Sequence, residues 1–115
     1  MAQRPNGNGK VAVDVMRCSG DLSASRMVQV KNRLSRLLNQ NRKFFLLDLK
    51  RTNHVDLAGL GILVDRIRKV RSINGDIRLF NITPEVSGIL QMVGVNQVIA
   101  TYATEEEARR SFRVA

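Results

Sequence analysis

The 115-residue chain lacks several features that define specialised classes of protein. Its single cysteine, Cys18, excludes an intrachain disulfide, and a reducing compartment is the simplest interpretation. The N-terminus has no apolar core typical of a signal peptide, and no apolar run approaches the length of a membrane span. With four phenylalanines, one tyrosine and no tryptophan, the core must be mainly aliphatic. We therefore expect one compact cytoplasmic domain that does not insert into membranes.

Acidic residues are also scarce relative to basic ones, since 19 lysines and arginines against 10 aspartates and glutamates give a net charge of +9. Such an excess is typical of proteins that bind nucleic acids or anionic membranes. Here, however, the basic residues are spread over the whole chain, and no basic block lies beside aromatic residues that could stack on bases. The composition therefore favours an acidic protein partner over a nucleic acid.

Residues 43–61 form the stretch around which the rest of the chain is organised. The nearly continuous apolar run at 44–49 predicts a strand that is covered on both faces. Residues 50–54 are too polar to extend that strand and are expected to reach the surface. Asp56 then fits the N-cap of a helix, because its carboxylate can accept hydrogen bonds from free backbone N–H groups.

The first turn of that helix carries two glycines, Gly59 and Gly61, and no charge. Each glycine costs up to about 1 kcal/mol relative to alanine in a helix interior, so the pair indicates close approach of another backbone. Leu57 and Ala58 complete a helix start with little bulk. Because α/β sheets place their sites beyond the carboxyl ends of their strands, we interpret this turn as a contact surface.

The rest of the sequence predicts alternating strands and helices after a Pro/Asn/Gly-rich flexible leader at 1–9. The domain itself is expected to occupy 10–115. This alternation predicts an α/β fold with a mostly parallel four-stranded sheet, its first strand near an edge, and about four helices (βαβαβαβα). The predicted strands cover 10–18, 44–49, 77–82 and 97–102, and the predicted helices cover 24–39, 57–73, 84–93 and a terminal segment from 105.

Capping residues and apolar spacing refine the helices. Ser23 and Thr83 are predicted N-caps, and Pro84 suits the first position of the third helix. In the third helix the inward-pointing residues are expected to be Ile89, Leu90 and Val93. The buried stripe of the second helix is predicted to comprise Leu60, Leu63, Val64, Ile67 and Val70.

Several short motifs together resemble the STAS domain, the fold of bacterial anti-sigma factor antagonists. The segment Asp56–Gly61, DLAGLG, is similar to the family's D-S-[ST]-G-[LIVM]-G turn between a strand and a helix. Thr83–Val86 is similar to its [ST]-P-x-V helix start. Further similar segments are Asn74-Gly75, Gly94-Val95, the turn Cys18–Leu22 and the helix start Thr104–Ala108.

The resemblance implies a non-enzymatic interaction domain that works by partner switching. Family members bind an anti-sigma factor that is also a serine kinase, and they release it when the first serine of the D-S-S-G turn is phosphorylated. Leu57 and Ala58 stand at the two hydroxyl positions here, and neither can accept phosphate. Binding is then either constitutive, or the partner is not a kinase. Two other functions stay open: a STAS subunit of a transporter or other signalling complex, and a basic nucleic-acid-binding module.

The predicted contact surface combines the helix start with its rim. Leu57 could anchor a partner, although it could also pack against its own domain. Arg66, Lys69 and Arg71 are typical of a solvated helix face, but beside the bare helix start they could also steer an acidic partner. The surface is predicted to consist of Ser23, Thr52, Asn53, Asp56, Leu57, Ala58, Gly59 and Gly61.

No catalytic, metal or cofactor site is predicted. Asp56 is better explained as a helix cap than as an acid or base, and His54 stands alone where a metal would need three or four converging ligands. Gly59-Leu60-Gly61 lacks the third glycine of a dinucleotide-binding motif and the lysine of a P-loop, so nucleotide binding is only weakly indicated.

Overall fold

Strands and helices alternate along the chain in the computed structural model, which describes residues 11–112. The predicted leader at 1–9 lies outside the described residues. In chain order the elements are β1 (Asp14–Ser19), α1 (Ala24–Leu38), β2 (Phe44–Arg51), α2 (Leu57–Arg71), β3 (Asp76–Phe80), α3 (Pro84–Val93), β4 (Thr101–Tyr102) and α4 (Glu105–Arg110).

All four strands run parallel, in the spatial order β1-β2-β3-β4. This arrangement confirms the predicted α/β fold, and among residues 11–112 β1 lies at one end of the sheet order, near an edge as predicted. The larger core cluster lies between one face of the sheet and helices α1, α2 and α3, whereas α4 packs against the other face. Within residues 11–112, no helix combines the length and the apolar character that crossing a membrane requires.

The central strand β2 is buried on both faces, as its apolar run predicts. Phe45, Leu47 and Leu49 belong to the larger cluster. Leu46 belongs to the smaller cluster, together with Phe112 and other residues around α4. None of these four β2 side chains has measurable exposure to solvent. A strand sandwiched in this way holds its carboxyl end, and the loop that follows it, in a fixed position.

The predicted N-caps are confirmed at Ser23, Asp56 and Thr83, whose side chains each accept a hydrogen bond from the backbone N–H three residues on. Pro84 occupies the first turn of α3, as predicted. Asn74 adopts a left-handed conformation with φ of 66° after the end of α2. Local sequence thus determines where these helices begin and where α2 stops.

Strand boundaries differ from the predictions. β2 extends to Arg51 because Arg51 pairs with Ser19 of the neighbouring strand, so polar character did not end it at residue 49. β1 starts at Asp14 rather than at residue 10. β3 ends at Phe80, since Asn81 has a positive φ of 57°. β4 is reduced to two residues, because residues 95–99 form a turn closed on the carbonyl of Val95.

The orientation of α3 also corrects a prediction. Val86 and Leu90 are its buried residues, whereas Val93 is 42% exposed. After the left-handed turn at Gly94, Val95 packs against the core in place of Val93. In α2 the predicted stripe is buried apart from Val64, which is only partly covered.

An ionic network on the α4 side of the sheet ties three elements together. Arg17 of β1 contacts Asp48 of β2 at 2.7 Å and Glu105 of α4 at 3.0 Å. The Asp48 carboxylate also accepts hydrogen bonds from the backbone N–H of Lys50 and from the amide of Asn81. Burial alone would raise the pKa of Asp48, but these donors and Arg17 hold that pKa below its usual value. The charged form of Asp48 therefore stabilises the folded state.

The effect of replacing the Asp48 carboxylate on the free energy of unfolding should depend on pH. We expect Asp48→Asn to lower the free energy of unfolding by about 2 kcal/mol near neutral pH, because three hydrogen bonds lose their charged acceptor. Since the folded pKa of Asp48 is depressed, its contribution is complete above the unfolded pKa of about 3.9 and is lost as pH falls through the folded value. Urea unfolding at neutral and strongly acidic pH measures both effects.

The matched control is Asp21→Asn, which changes an exposed carboxylate of the turn after β1. It should leave stability nearly unchanged at both pH values. An Asp48→Asn penalty of the same size in acid as at neutral pH would show that the charge of Asp48 is not what stabilises the fold.

Candidate functional site

The loop between β2 and α2 is fixed by the segment that precedes α1. The N–H of Leu22 donates to the carbonyl of His54 at 2.9 Å, and the N–H of Asp56 donates to the carbonyl of Leu22 at 3.3 Å. Leu22 and Val55 form an isolated parallel bridge, and both side chains are buried. The start of α2 is therefore held against the start of α1 by main-chain bonds.

Asp56 caps α2 as predicted, with its Oδ1 accepting from the N–H of Gly59 at 2.6 Å. A Cβ at Gly59 would lie 2.4 Å from the carbonyl oxygen of Leu22 and 2.9 Å from the carbonyl carbon of Ser23. Only glycine permits this approach, so the prediction of close backbone contact is confirmed at Gly59. At Gly61 it is wrong, because a Cβ there would meet nothing within 4 Å.

In the segment Asp56–Gly61, which we term the α2 tip, the exposed residues are Leu57, Ala58 and Gly61, which carry no charge, whereas Asp56 is half-buried and caps the helix. Leu57 is 70% exposed, which excludes the alternative that it packs against its own domain. Ala58 and Gly61 are exposed as well, and the first turn of α2 carries no acidic residue. Leu57 is therefore a surface residue and does not belong to the core.

An apolar groove of about 280 Å³ runs from the α2 tip along α2 towards the end of α3. Val93 of α3, which lines the groove, is 42% exposed, and Met92, which precedes it in α3, is 81% exposed. Gly61 leaves one side of the groove free of any side chain. The groove is lined by Leu57, Leu60, Gly61, Val64, Asp65, Arg68, Val93 and Val95.

The charged residues that line the groove, Asp65 and Arg68, both belong to α2. Asp65 pairs with Arg66 at 2.7 Å, and this hydrogen bond holds the pKa of Asp65 below its usual value. Arg71, predicted to steer a partner, is paired with Asp76 at 2.8 Å. Arg68 lines the groove and has no ion-pair partner among residues 11–112. Arg68 is thus better placed than Arg66 or Arg71 to attract a carboxylate.

Two residues predicted for the contact surface are not accessible. Thr52 is fully buried, and its carbonyl accepts a hydrogen bond from the hydroxyl of Thr83 at 3.2 Å. Its place on the rim is therefore corrected, because β2 runs two residues further than predicted and carries Thr52 inward. Gly59 is buried beneath Leu22 and Ser23, so it shapes the site without presenting a surface.

The other predicted members are brought together around the tip. Asn53 is exposed in the loop before Asp56, and Ser23 is half-buried beside Gly59, where its hydroxyl caps α1. Sequence reasoning missed Met92 and assigned Val93 to the core. In the sequence, the available signal was the pair of apolar residues Met92 and Val93 just before the helix-ending Gly94. Only the packing of α3 in the structure shows that this pair faces outward.

Metal chemistry finds no support in the part of the chain that the structure describes. No three histidine, cysteine, aspartate or glutamate side chains within residues 11–112 converge on a common point. His54 is exposed in the loop, and its carbonyl rather than its ring takes part in fixing the loop.

Comparison with known proteins assigns this geometry to a family. A family model described as "STAS domain" matches residues 6–108. The chain is 23% identical over 101 residues to the anti-sigma F factor antagonist of Paenibacillus polymyxa, covering 87% of this chain and 86% of that protein.

Solved structures share the fold. A sulfate transporter family protein from Wolinella succinogenes superimposes with a TM-score of 0.76 at 16% identity, covering 86% of this chain and 83% of that one. The anti-sigma factor antagonist SpoIIAA in its unphosphorylated form gives 0.64 at 24% identity, covering 95% and 94%. The Bacillus protein SpoIIAA has also been solved in its phosphorylated form.

Alanine substitutions at the two glycines of the α2 tip should change the stability of the protein in opposite directions. Gly59→Ala should destabilise the protein by about 2 kcal/mol or more, because its methyl group has no room beside the backbone of Leu22. Gly61→Ala should stabilise it by up to about 1 kcal/mol, since alanine is the better helix former and its methyl group enters open space. Urea unfolding of both variants measures the difference, and effects of the same sign would contradict this packing.

Proposed function

Because the chain belongs to the STAS domain family, we propose that it is a non-catalytic interaction domain that acts as an anti-sigma factor antagonist in the bacterial cytoplasm. Its partner would be an anti-sigma factor of the serine-kinase type, bound at the α2 tip and the adjoining apolar groove. The observation that carries this proposal is the 70% exposed Leu57 at the start of α2, whose first turn carries no acidic residue and whose N-terminus is anchored by main-chain hydrogen bonds.

The energetics of the surface support this assignment. Burying one leucine side chain contributes about 1.5–3 kcal/mol, and Val93, which lines the same groove, offers further apolar area. A few buried apolar anchors typically dominate a protein interface. Since the main chain holds the tip in place, little conformational entropy is lost when a partner binds there.

The same surface lacks an acceptor for a phosphate. Between residues 52 and 61 the only hydroxyl belongs to Thr52, which is fully buried. A phosphate would add a charge of about −1.5 to −2 and weaken an apolar contact, but Leu57 and Ala58 cannot carry one. In this proposal, binding is therefore governed by the amounts of the two proteins and not by phosphorylation at the tip.

A second candidate function keeps the fold and changes the partner. The sulfate transporter family protein superimposes with a TM-score of 0.76, so a subunit docking on a transporter or another signalling complex is the alternative. Affinity capture from the native cell distinguishes the two by the protein recovered, which is a kinase-like anti-sigma factor in the first case and a transporter component in the second.

A charge placed at position 57 should strongly weaken binding of the partner. We expect Leu57→Asp to weaken capture of the partner by at least tenfold, since it removes about 1.5–3 kcal/mol of apolar burial and adds a carboxylate that must be desolvated. Capture and calorimetric titration of the recovered partner provide the measurement.

Ile73→Asp is the matched control. It makes the same chemical change at another exposed apolar residue, 49% accessible, which follows the far end of α2 about 22 Å away. It should bind like the wild type. Equal affinities of Leu57→Asp and wild type would place the interface elsewhere on the molecule.

Introducing a serine at position 57 should make binding of the partner sensitive to phosphorylation. With a kinase-type partner and labelled ATP, wild-type protein should take up no phosphate, whereas Leu57→Ser should become labelled and then bind the partner more weakly. Leu57→Ala controls for the loss of the side chain alone. Stoichiometric phosphate on Ser23 or Thr52 of the wild-type protein, the two hydroxyl residues of the predicted contact surface, would overturn the proposal of an unswitched surface.

A further inference from the structure

The excess positive charge of the chain is concentrated in two neighbouring helices. Together α1 and α2 contain eight lysines and arginines against one acidic residue, Asp65, a balance of +7 in a chain whose net charge is +9. Helix α4, on the other face of the sheet, contains three glutamates and two arginines. The charge is therefore distributed unevenly between the two sides of the sheet.

The outer surface of α1 and α2 carries basic side chains that are exposed and unpaired. We define the basic helical face by Lys31 and Arg36 of α1 together with Arg68 and Lys69 of α2, all of which are exposed. None of the four forms an ion pair within residues 11–112. Arg33 is left out of this definition because it lies on the flank of α1 that faces β1.

The single acidic residue of the two helices does not cancel this charge. Asp65 is paired with Arg66 at 2.7 Å, and the charges of Lys31 and Lys69 also help to lower its pKa. Because both lysines act on one carboxylate, Lys31 of α1 and Lys69 of α2 lie near each other across the boundary between the helices. The two helices thus present one continuous positive surface, in which Arg66 already offsets Asp65.

The basic helical face covers a wide area. Each helix has 15 residues and is therefore about 22 Å long, and the axes of packed helices lie about 8–10 Å apart. Among the four cations only Arg68 lines the apolar groove. The positive charge is consequently spread over the outer surface of both helices and is not focused on one small ligand.

Exposed apolar side chains lie on the same side of the sheet. Within residues 11–112, all of the large exposed hydrophobic residues belong to α1, α2, α3 or the turn after α2, namely Val28, Leu57, Ile73, Met92 and Val93. Val28, which is 46% exposed, precedes Lys31 by about one helical turn, so an aliphatic and a cationic side chain adjoin on α1. Lysines and arginines beside exposed aliphatic residues are typical of helices that lie on a membrane surface.

We propose that the basic helical face binds the surface of an anionic phospholipid membrane, with α1 and α2 lying along the bilayer and no helix crossing it. Charge complementarity selects this occupant, because a plane of anionic headgroups can attract the cations of both helices at once. A second copy of the chain would bring two surfaces of the same charge together. A nucleic acid would find no stacking partner, since neither helix contains an aromatic residue.

Flotation of the full chain with lipid vesicles tests this proposal. The probes are vesicles of phosphatidylcholine alone and vesicles in which about one-third of the lipid is phosphatidylglycerol. At about 0.1 M salt we expect saturable binding to the anionic vesicles that weakens as salt is added, and no binding to the neutral ones.

A pair of lysines at the centre of the face should be required. The variant Lys31→Gln/Lys69→Gln should bind the anionic vesicles at least tenfold more weakly, as expected for the loss of two cations from such a contact. The matched control Arg109→Gln/Arg110→Gln lowers the net charge by the same amount at exposed positions of α4, on the other side of the sheet. It should bind within about twofold of the wild type, because charges remote from the lipid are screened.

A second measurement uses the wild-type protein and covers the case in which the lysine variant fails to fold. A water-soluble acetylating reagent, followed by mass spectrometry, reports which lysines the vesicles cover. Lys31 and Lys69 should lose labelling when anionic vesicles are added. Lys50, which is exposed at the end of β2, should be labelled as in free solution.

Equal binding to neutral and anionic vesicles, equal loss of binding in the lysine variant and its α4 control, or protection of Lys50 in place of Lys31 and Lys69 would each overturn the proposal. Tighter binding to single-stranded polyuridine than to the vesicles, compared per negative charge at the same salt, would overturn it in favour of a nucleic acid. The assay needs no protein partner, and the basic helical face shares no residue with the α2 tip. Its failure would therefore leave the function proposed for the tip unaffected.

Discussion

The candidate site depends on one steric constraint, the passage of the first turn of α2 over the backbone that leads into α1. Gly59 makes this possible, since any side chain there would overlap the carbonyl oxygen of Leu22. The contact lets Leu22 bridge Val55 and lets the starts of two helices share one anchored turn. As a result, Leu57 and Ala58, the two residues that follow Asp56, are held at the surface by the main-chain contacts of this turn.

This constraint explains why the tip can be apolar and still well ordered. An exposed leucine in a mobile loop would lose conformational entropy when a partner binds, whereas Leu57 stands on a helix that is capped, anchored and backed by the core.

Local signals in the sequence were enough for the fold but not for the full surface. The apolar run of β2 and the caps Ser23, Asp56 and Thr83 act over a few residues, and their predictions are confirmed. Thr52 was misplaced because pairing with β1, a long-range contact, extends β2 by two residues.

Long-range contacts that local sequence cannot reveal also account for the other differences between prediction and structure. Val93 was assigned to the core because helical spacing cannot reveal that Val95 takes its place after the turn at Gly94. The network of Asp48 with Arg17 and Glu105 joins residues far apart in sequence, so no local pattern predicts it. Gly59 and Gly61 look alike in sequence, yet only the packing separates the glycine that is sterically required from the one that leaves a groove open.

Amide hydrogen exchange of the chain, alone and in complex with the partner recovered from its native cell, tests the central claim most directly. The account predicts that the partner slows exchange at residues 57–61 and 92–95, around the apolar groove, and leaves the far end of α2 unchanged. Slowed exchange confined to other elements, with the α2 tip exchanging as in the free protein, would contradict it.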